Sequence, residues 1–283
     1  MIDIVTVVFR EELPVLKVQA ESVDLYCQDI GIQTIYVVVN DDPGMVQEID
    51  TAWWGSLSSH VKIVHRDYFN CEFAADGWLT QQLLKLLCAA LSQNQYTIIL
   101  DAKTILVNPI KLNWLFDSKG KQTWGYAPIQ PVFEPAGLLV SKLFDINLEH
   151  IAGPSGVPFL FHSNTVKEMI GVITKITNQS FTTWFQQVGM ITEFILYTGY
   201  ILYRDGTLDC VYSKNYPIKC IPGINICHSE VDQFNEKILT MLQDNILTVG
   251  VHRNCWNQLT TDQRVAYIAL LQARGITQAK SLL

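Results

Sequence analysis

The chain has 283 residues, 49% of them hydrophobic and 17% charged, a balance too apolar for disorder and ample for one large buried core. Lys and Arg number 20 against 27 Asp and Glu, a formal charge of −7, and an acidic chain without a Lys/Arg cluster argues against a nucleic-acid partner. No apolar run approaches the ~20 residues that span a bilayer: Phe194–Leu202 and Leu83–Leu91 are short, and Lys85 interrupts the second.

Met1–Phe9 carries Asp3 and no basic flank, so it reads as a first strand rather than a signal peptide. Glu11–Asp29 then shows helical spacing, with Leu13, Leu16, Ala20, Val23 and Cys27 at steps of three and four. Gly31 closes that helix, and Thr34–Asn40 is a second buried strand running into the turn Asn40-Asp41-Asp42-Pro43-Gly44. Val61–His65 is a third strand, Leu79–Gln93 a leucine-rich helix, and Tyr96–Asp101 a further buried strand. Continuous apolar strands separated by helices predict an α/β fold with a mostly parallel sheet covered on both faces.

Beyond Asp101 the pattern is mixed. Gly125–Pro135 reads as extended, Gly153–Pro158 as a loop, and Asn164–Thr177 and Phe185–Thr198 as helices. Asp205-Gly206 within Ile201–Tyr212 is a hairpin signal. Val231–Asn245 and Thr261–Gly275 close the chain as helices, the second capped by Thr260 or Thr261. Without a repeat or a low-complexity linker, the expectation is a single domain with an elaborated C-terminal part. The seven cysteines (Cys27, Cys71, Cys88, Cys210, Cys220, Cys227, Cys255) form no C-x-x-C pair, so they read as reduced core thiols of a cytoplasmic protein.

The chemistry concentrates where strands end. Ligands of open α/β sheets bind at the carboxyl ends of the strands, where LDAKTILVNP, Leu100–Pro109, should place Asp101 and Lys103. Trp78, Gln81 and Lys85 share one face of the helix that carries GWLTQQLLKLL, Gly77–Leu87, ahead of that strand, with Leu83, Leu84, Leu87 and Leu91 packing elsewhere. Lys85 alone reads equally well as part of a solvated face, whereas Trp78 needs cover from a ligand or loop. Glu193 opens an otherwise apolar helix, as a general base or as favourable charge at a helix N-terminus. Neither a Walker-A nor a G-x-G-x-x-G string is present, and neither is G-x-S-x-G.

LDAK, with the opening VTVVF and Arg10-Glu11, VVVND, GWLTQQLLKLL, PFLFHSNTV, ITEFILYTGYI and VGVHR, resembles the GT-A superfamily of nucleotide-sugar glycosyltransferases. It looks especially like a group of bacterial and phage glycosyltransferase-like proteins. The resemblance implies a GT-A-like domain over 1–283, with a nucleotide-binding half, 1–110, and an acceptor-side half, 111–283. It implies a donor pocket near Thr6, Phe9, Arg10, Asn40, Trp78, Gln81, Lys85, Asp101, Lys103, His162, His252 and Arg253, with Glu193 as base in an inverting transfer or as a clamp on the donor sugar. The family's Asp-x-Asp and a C-terminal His hold Mn²⁺ or Mg²⁺ against the diphosphate, here Asp101 and His252; Lys103 replaces the second acid. A protonated lysine ligates no cation but does set positive charge near phosphates. Two alternatives stand beside transfer from a nucleoside-diphosphate sugar to a glycan, lipid or protein: a catalytically inactive nucleotide-sugar or glycan-binding module, and a structural protein that uses the fold for contacts.

Overall fold

β-Branched, apolar segments form the centre of the molecule. The computed structural model describes residues 1–73, 76–123, 126–152, 158–213, 223–226, 228–242 and 246–282. Strand β1 (Ile2–Val8) is buried along its whole length, paired in parallel with β2 (Ile32–Val39) and β4 (Tyr96–Asp101). Burying side chains such as Ile4, Val5, Val7 and Val8 contributes about 1.5–3 kcal/mol each before entropy is counted. β3 (Val61–His65) joins β2 in parallel, and β8 (Phe159–His162) joins β4 antiparallel, giving the order β3-β2-β1-β4-β8. This is the mostly parallel sheet that the apolar runs predict.

A second sheet runs β5-β10-β9, from Ile105–Leu106, Thr248–Val251 and Gly223–Ile226, and a ribbon pairs β6 (Tyr126–Pro128) with β7 (His150–Ala152). The helices are α1 (Leu13–Tyr26), α2 (Gly77–Leu91), α3 (Leu112–Leu115), α4 (Glu134–Phe144), α5 (Ser163–Thr177), α6 (Phe181–Gln187), α7 (Glu193–Asp205), α8 (Phe234–Met241), α9 (Arg253–Trp256) and α10 (Thr261–Ala273). α7 is buried around its circumference from Glu193 to Ile201, so it is an internal helix rather than a covering one. The elements make up a single domain.

Several expectations are corrected. Asp205-Gly206 is not a hairpin: α7 runs through Asp205, and Gly206 ends it with φ +69°, the left-handed conformation glycine adopts without a Cβ penalty. The helix expected over Phe185–Thr198 is broken by the segment before Thr192, which caps α7 through its hydroxyl. In the stretch expected to be extended, Gly125–Pro135, Gly125 lies outside the described residues, Tyr126–Pro128 form β6, Pro131–Phe133 form a helical turn, and α4 starts with a proline in its first turn. Of the helix expected over Val231–Asn245, α8 keeps Phe234–Met241. The Gly153–Pro158 loop lies outside the described residues except for Pro158, as do Cys220 and Cys227; of the remaining cysteines, Cys27, Cys88 and Cys255 are buried and Cys210 is exposed.

Candidate functional site

β4 delivers Asp101 to the carboxyl end of the parallel strands, opposite Val7 of β1. The turn that follows is fixed from below. The Asp101 carbonyl accepts hydrogen bonds from the Thr104 amide at 2.8 Å and from Gln19 Nε2 at 2.5 Å. Gln19 Nε2 also donates to the Thr104 carbonyl at 3.0 Å, and Gln19 Oε1 accepts from the Thr6 hydroxyl at 2.9 Å. Thr6 is thus a buried strut under the Asp-Ala-Lys turn rather than a contact for a base or ribose.

The Asp101 carboxylate lies between two lysines, Lys85 Nζ at 2.8 Å from Oδ1 and Lys103 Nζ at 2.7 Å from Oδ2. Lys85 also pairs with Glu193 Oε1 at 2.9 Å. The result is an alternating line, Glu193–Lys85–Asp101–Lys103, assembled from α7, α2 and the end of β4. Lys85 and Glu193 are buried, with side chains 3% and 1% exposed, so the solvated-face reading of Lys85 is wrong. Buried charges of this kind persist only when paired. Burial alone would lower the Lys85 ammonium, but Asp101 and Glu193 outweigh it and hold the group charged, above its ordinary value. Burial would likewise raise the Asp101 carboxyl, yet Lys103 and Lys85 hold it well below the ordinary carboxylate range. Burial raises the Glu193 carboxyl, a rise that Lys85 opposes without cancelling.

Helix α2 is set by Asp76, whose carboxylate accepts from the Trp78 and Leu79 amides. Its inward face carries Gln82 and Lys85. With its NH₂ turned toward Glu193, the Gln82 amide donates to both carboxylate oxygens, at 2.6 Å for Oε1, and accepts from Trp78 Nε1 at 3.1 Å. The hydrogen-bonded line along α2 therefore runs Trp78–Gln82–Glu193; Gln81 is half-buried beside it and Trp78 is exposed. Leu91, expected on the packed side, is exposed in the last turn. As placed here, Glu193 gives its oxygens to Lys85 and Gln82 and none to the surface.

Beside Lys103 lies a cavity of about 570 Å³, lined by Glu11, Glu12, Lys103, Arg253 and Trp256 among others. Arg253 Nη1 is 3.1 Å from Glu11 Oε2, and its guanidinium lies 5.8 Å over the Phe9 ring. Glu12 accepts from the Phe9 amide at 3.2 Å, and burial raises its carboxyl, opposed by that hydrogen bond and by Lys103. His252 accepts from the Asn254 amide at 3.2 Å, capping α9.

Other expected residues fall elsewhere. Arg10 pairs with Glu48 at 2.8 Å and Asp42 at 3.9 Å on the surface. Buried Asn40 ties β2 to α2 by donating to the Gly77 carbonyl at 3.3 Å. His162 is a clear correction. β8 runs against β4, so its last residue pairs with Tyr96, at the opposite end of the strand from Asp101. Five residues of strand separate the two ends by ~17 Å. There His162 caps α5, accepting from the Thr165 amide at 3.3 Å.

The geometry leaves a divalent ion without a seat. Both Asp101 oxygens already hold ammonium groups. Among the described residues, no three His, Cys, Asp or Glu side chains converge as ligands. The side chains present do not fit the Mn²⁺ or Mg²⁺ that the resemblance implies. No described helix is long and apolar enough to cross a membrane.

This sheet order and its helical cover are those of the GT-A glycosyltransferase fold. The chain is similar to the galactosyltransferase LgtC solved with donor and acceptor sugar analogues, with TM-score 0.52 and 10% identity, covering 96% of this chain and 95% of that one. An active-site mutant of LgtC gives TM-score 0.51 and 11% identity over the same shares of each chain, 96% and 95%. The glycosyltransferase GlyE of Streptococcus pneumoniae TIGR4 gives TM-score 0.46 and 12% identity, covering 98% of this chain and 62% of that one. The two LgtC likenesses, at 10% and 11% identity, speak to the fold alone. No curated protein matches the sequence. Residues 7–244 match the model of a family of unknown function, DUF6492, and the chain belongs to that family.

Proposed function

We propose that this protein transfers a sugar from a nucleoside-diphosphate donor to a glycan, lipid or protein acceptor. The observation that carries the reading is the position of the Asp101–Lys103 turn, at the carboxyl end of β4 and on the wall of a cavity that also holds Arg253. A departing diphosphate needs positive groups held in place before charge develops on it, and Lys103 and Arg253 supply two. In this reading Phe9 offers an aromatic face to the nucleotide base. Residues 1–110 carry most of the donor contacts and 111–283 the acceptor side. Trp78, tethered by its indole N–H, offers a face to a sugar ring.

The same fold without catalysis is the second reading, a module that binds a nucleotide sugar and does not transfer it. It is favoured by Glu193, whose oxygens are bound to Lys85 and Gln82 at 1% exposure. A thermal-shift screen of UDP, GDP, CDP and their sugars tests the binding that both share. A diphosphate at ~100 times its Kd should stabilise the fold by about 2.7 kcal/mol. Transfer and donor-hydrolysis assays with the sugar that binds then separate them. No shift with any diphosphate at millimolar concentration removes both.

A further inference from the structure

The two ammonium groups on Asp101 are not equivalent. Lys85 is enclosed and shared with Glu193, so it is committed to holding three elements together. Lys103 has a side chain 22% exposed, and it lines the cavity together with Arg253. Its position is prescribed by the structure around it. Gln19 and Thr6 lock the Asp101–Thr104 turn, and the Asp101 carboxylate gives Lys103 a fixed partner at 2.7 Å. An ammonium carries three donors, so pairing with Asp101 leaves two to offer a ligand.

We propose that Lys103, carried on Asp101, is the resident cation of the site, taking the place of a divalent ion against the diphosphate of the donor. The proposal rests on the donor reading above and deepens it. Two ammoniums, 2.8 Å from Asp101 Oδ1 and 2.7 Å from Oδ2, repel any divalent ion that approaches the carboxylate. Lys85 keeps Asp101 ionised and oriented, which makes it a positioning residue for Lys103 rather than a contact for substrate. Arg253 completes the cation pair across the cavity. Its present partner is the exposed Glu11, and surface pairs of this kind contribute little, so exchange of Glu11 for a phosphate oxygen costs little. Glu12 faces the same cavity and opposes an anion when ionised.

The test is calorimetry of UDP, GDP and CDP binding to the metal-stripped protein in EDTA and again with Mn²⁺, followed by Lys103→Met and Lys103→Arg. For the diphosphate that binds, Kd should change by less than about threefold between EDTA and Mn²⁺. In EDTA, Lys103→Met should weaken binding by about 10–100-fold while the unliganded melting temperature stays within a few degrees, and Lys103→Arg should retain most of the affinity. Binding that requires Mn²⁺, or a Lys103→Met protein that binds like the parent in EDTA, overturns the inference and leaves the donor reading standing. Absence of binding by every diphosphate in both buffers overturns the donor reading, and the inference with it. The comparison of the two buffers needs only the unaltered protein, so it decides the matter even if a variant fails to fold.

Discussion

Lys85 and Glu193 lie 108 positions apart in the chain, yet their side chains meet at 2.9 Å in the interior. Their contact closes α7 onto α2, and Asp101 on the other side of Lys85 closes both onto the sheet. A single ammonium is therefore shared by two carboxylates that have little access to water, and Lys103 supplies the second positive charge of the group.

Lys85→Met should be among the most damaging single changes outside the hydrophobic core. It keeps the aliphatic bulk and leaves Asp101 and Glu193 without their shared partner, a situation that costs about 3–5 kcal/mol. Urea denaturation followed by circular dichroism measures it. A loss below about 1 kcal/mol would mean that water reaches the carboxylates.

Acid should destabilise the protein through Asp101. Its folded pKa is depressed, so the stability it contributes is complete above the unfolded carboxylate value near ~4 and is lost as pH falls toward the folded one. Melting temperature should drop on acidification below about pH 4, and Asp101→Asn should flatten that limb while lowering the plateau. Equal acid limbs in the two proteins would assign the transition to other carboxylates.

Glu12 works in the opposite sense. Its folded pKa is raised, so its contribution is fully present below the unfolded value and is lost as pH rises through the folded one. Glu12→Gln preserves an acceptor for the Phe9 amide and should remove this decline in a series of melts from about pH 4 to 8. An unchanged slope would show that the ionised carboxylate finds water.

Gln19→Leu should loosen the Asp101 turn. It strands the buried Thr6 hydroxyl and takes the Gln19 donor from the Thr104 and Asp101 carbonyls, of which the second keeps the Thr104 amide; each group left unsatisfied costs about 1–3 kcal/mol. Chemical denaturation reads the loss. Diphosphate affinity measured on the folded fraction should fall as well, because Lys103 is then less firmly placed.

Gly199→Ala tests packing alone. A Cβ there would collide with Val140 Cγ1, between α7 and α4. Overpacking of a helix crossing typically costs 1–3 kcal/mol, about that range being expected here by thermal or urea melts.

How much of this was legible beforehand follows the range of the interactions. β1, β2, β3 and β4 are readable because short runs rich in β-branched residues and bounded by turns have one economical fate, a covered parallel sheet. Asp101 at a strand's carboxyl end is readable for the same reason. The partners of Asp101 are not: the Lys85–Glu193 contact depends on two helices meeting, and helical periodicity alone assigns Lys85 to water as readily as to a carboxylate. Gln82 and Gln19 give no sequence signal at all, being uncharged polar residues in amphipathic helices. His162 misleads for a topological reason. An apolar strand ending in a functional-looking residue says nothing about strand direction, and the reversal of β8 sends it to the far end of the sheet. Asp205-Gly206 misleads because a glycine with positive φ ends helices as well as turning hairpins.

The order of synthesis gives the Glu193 contact a temporal meaning. At ~5–20 residues per second, the 108 positions between Lys85 and Glu193 take roughly 5–20 s to emerge from the ribosome. Throughout that interval the strands of the first half can pair, but α2 has no anionic partner from α7 and no internal helix to enclose it. The nascent chain must keep that face hydrated until α7 arrives. Autonomous folding of residues 1–110 is thereby opposed by the chain's own chemistry, and that segment becomes complete only when α7 hands it a carboxylate.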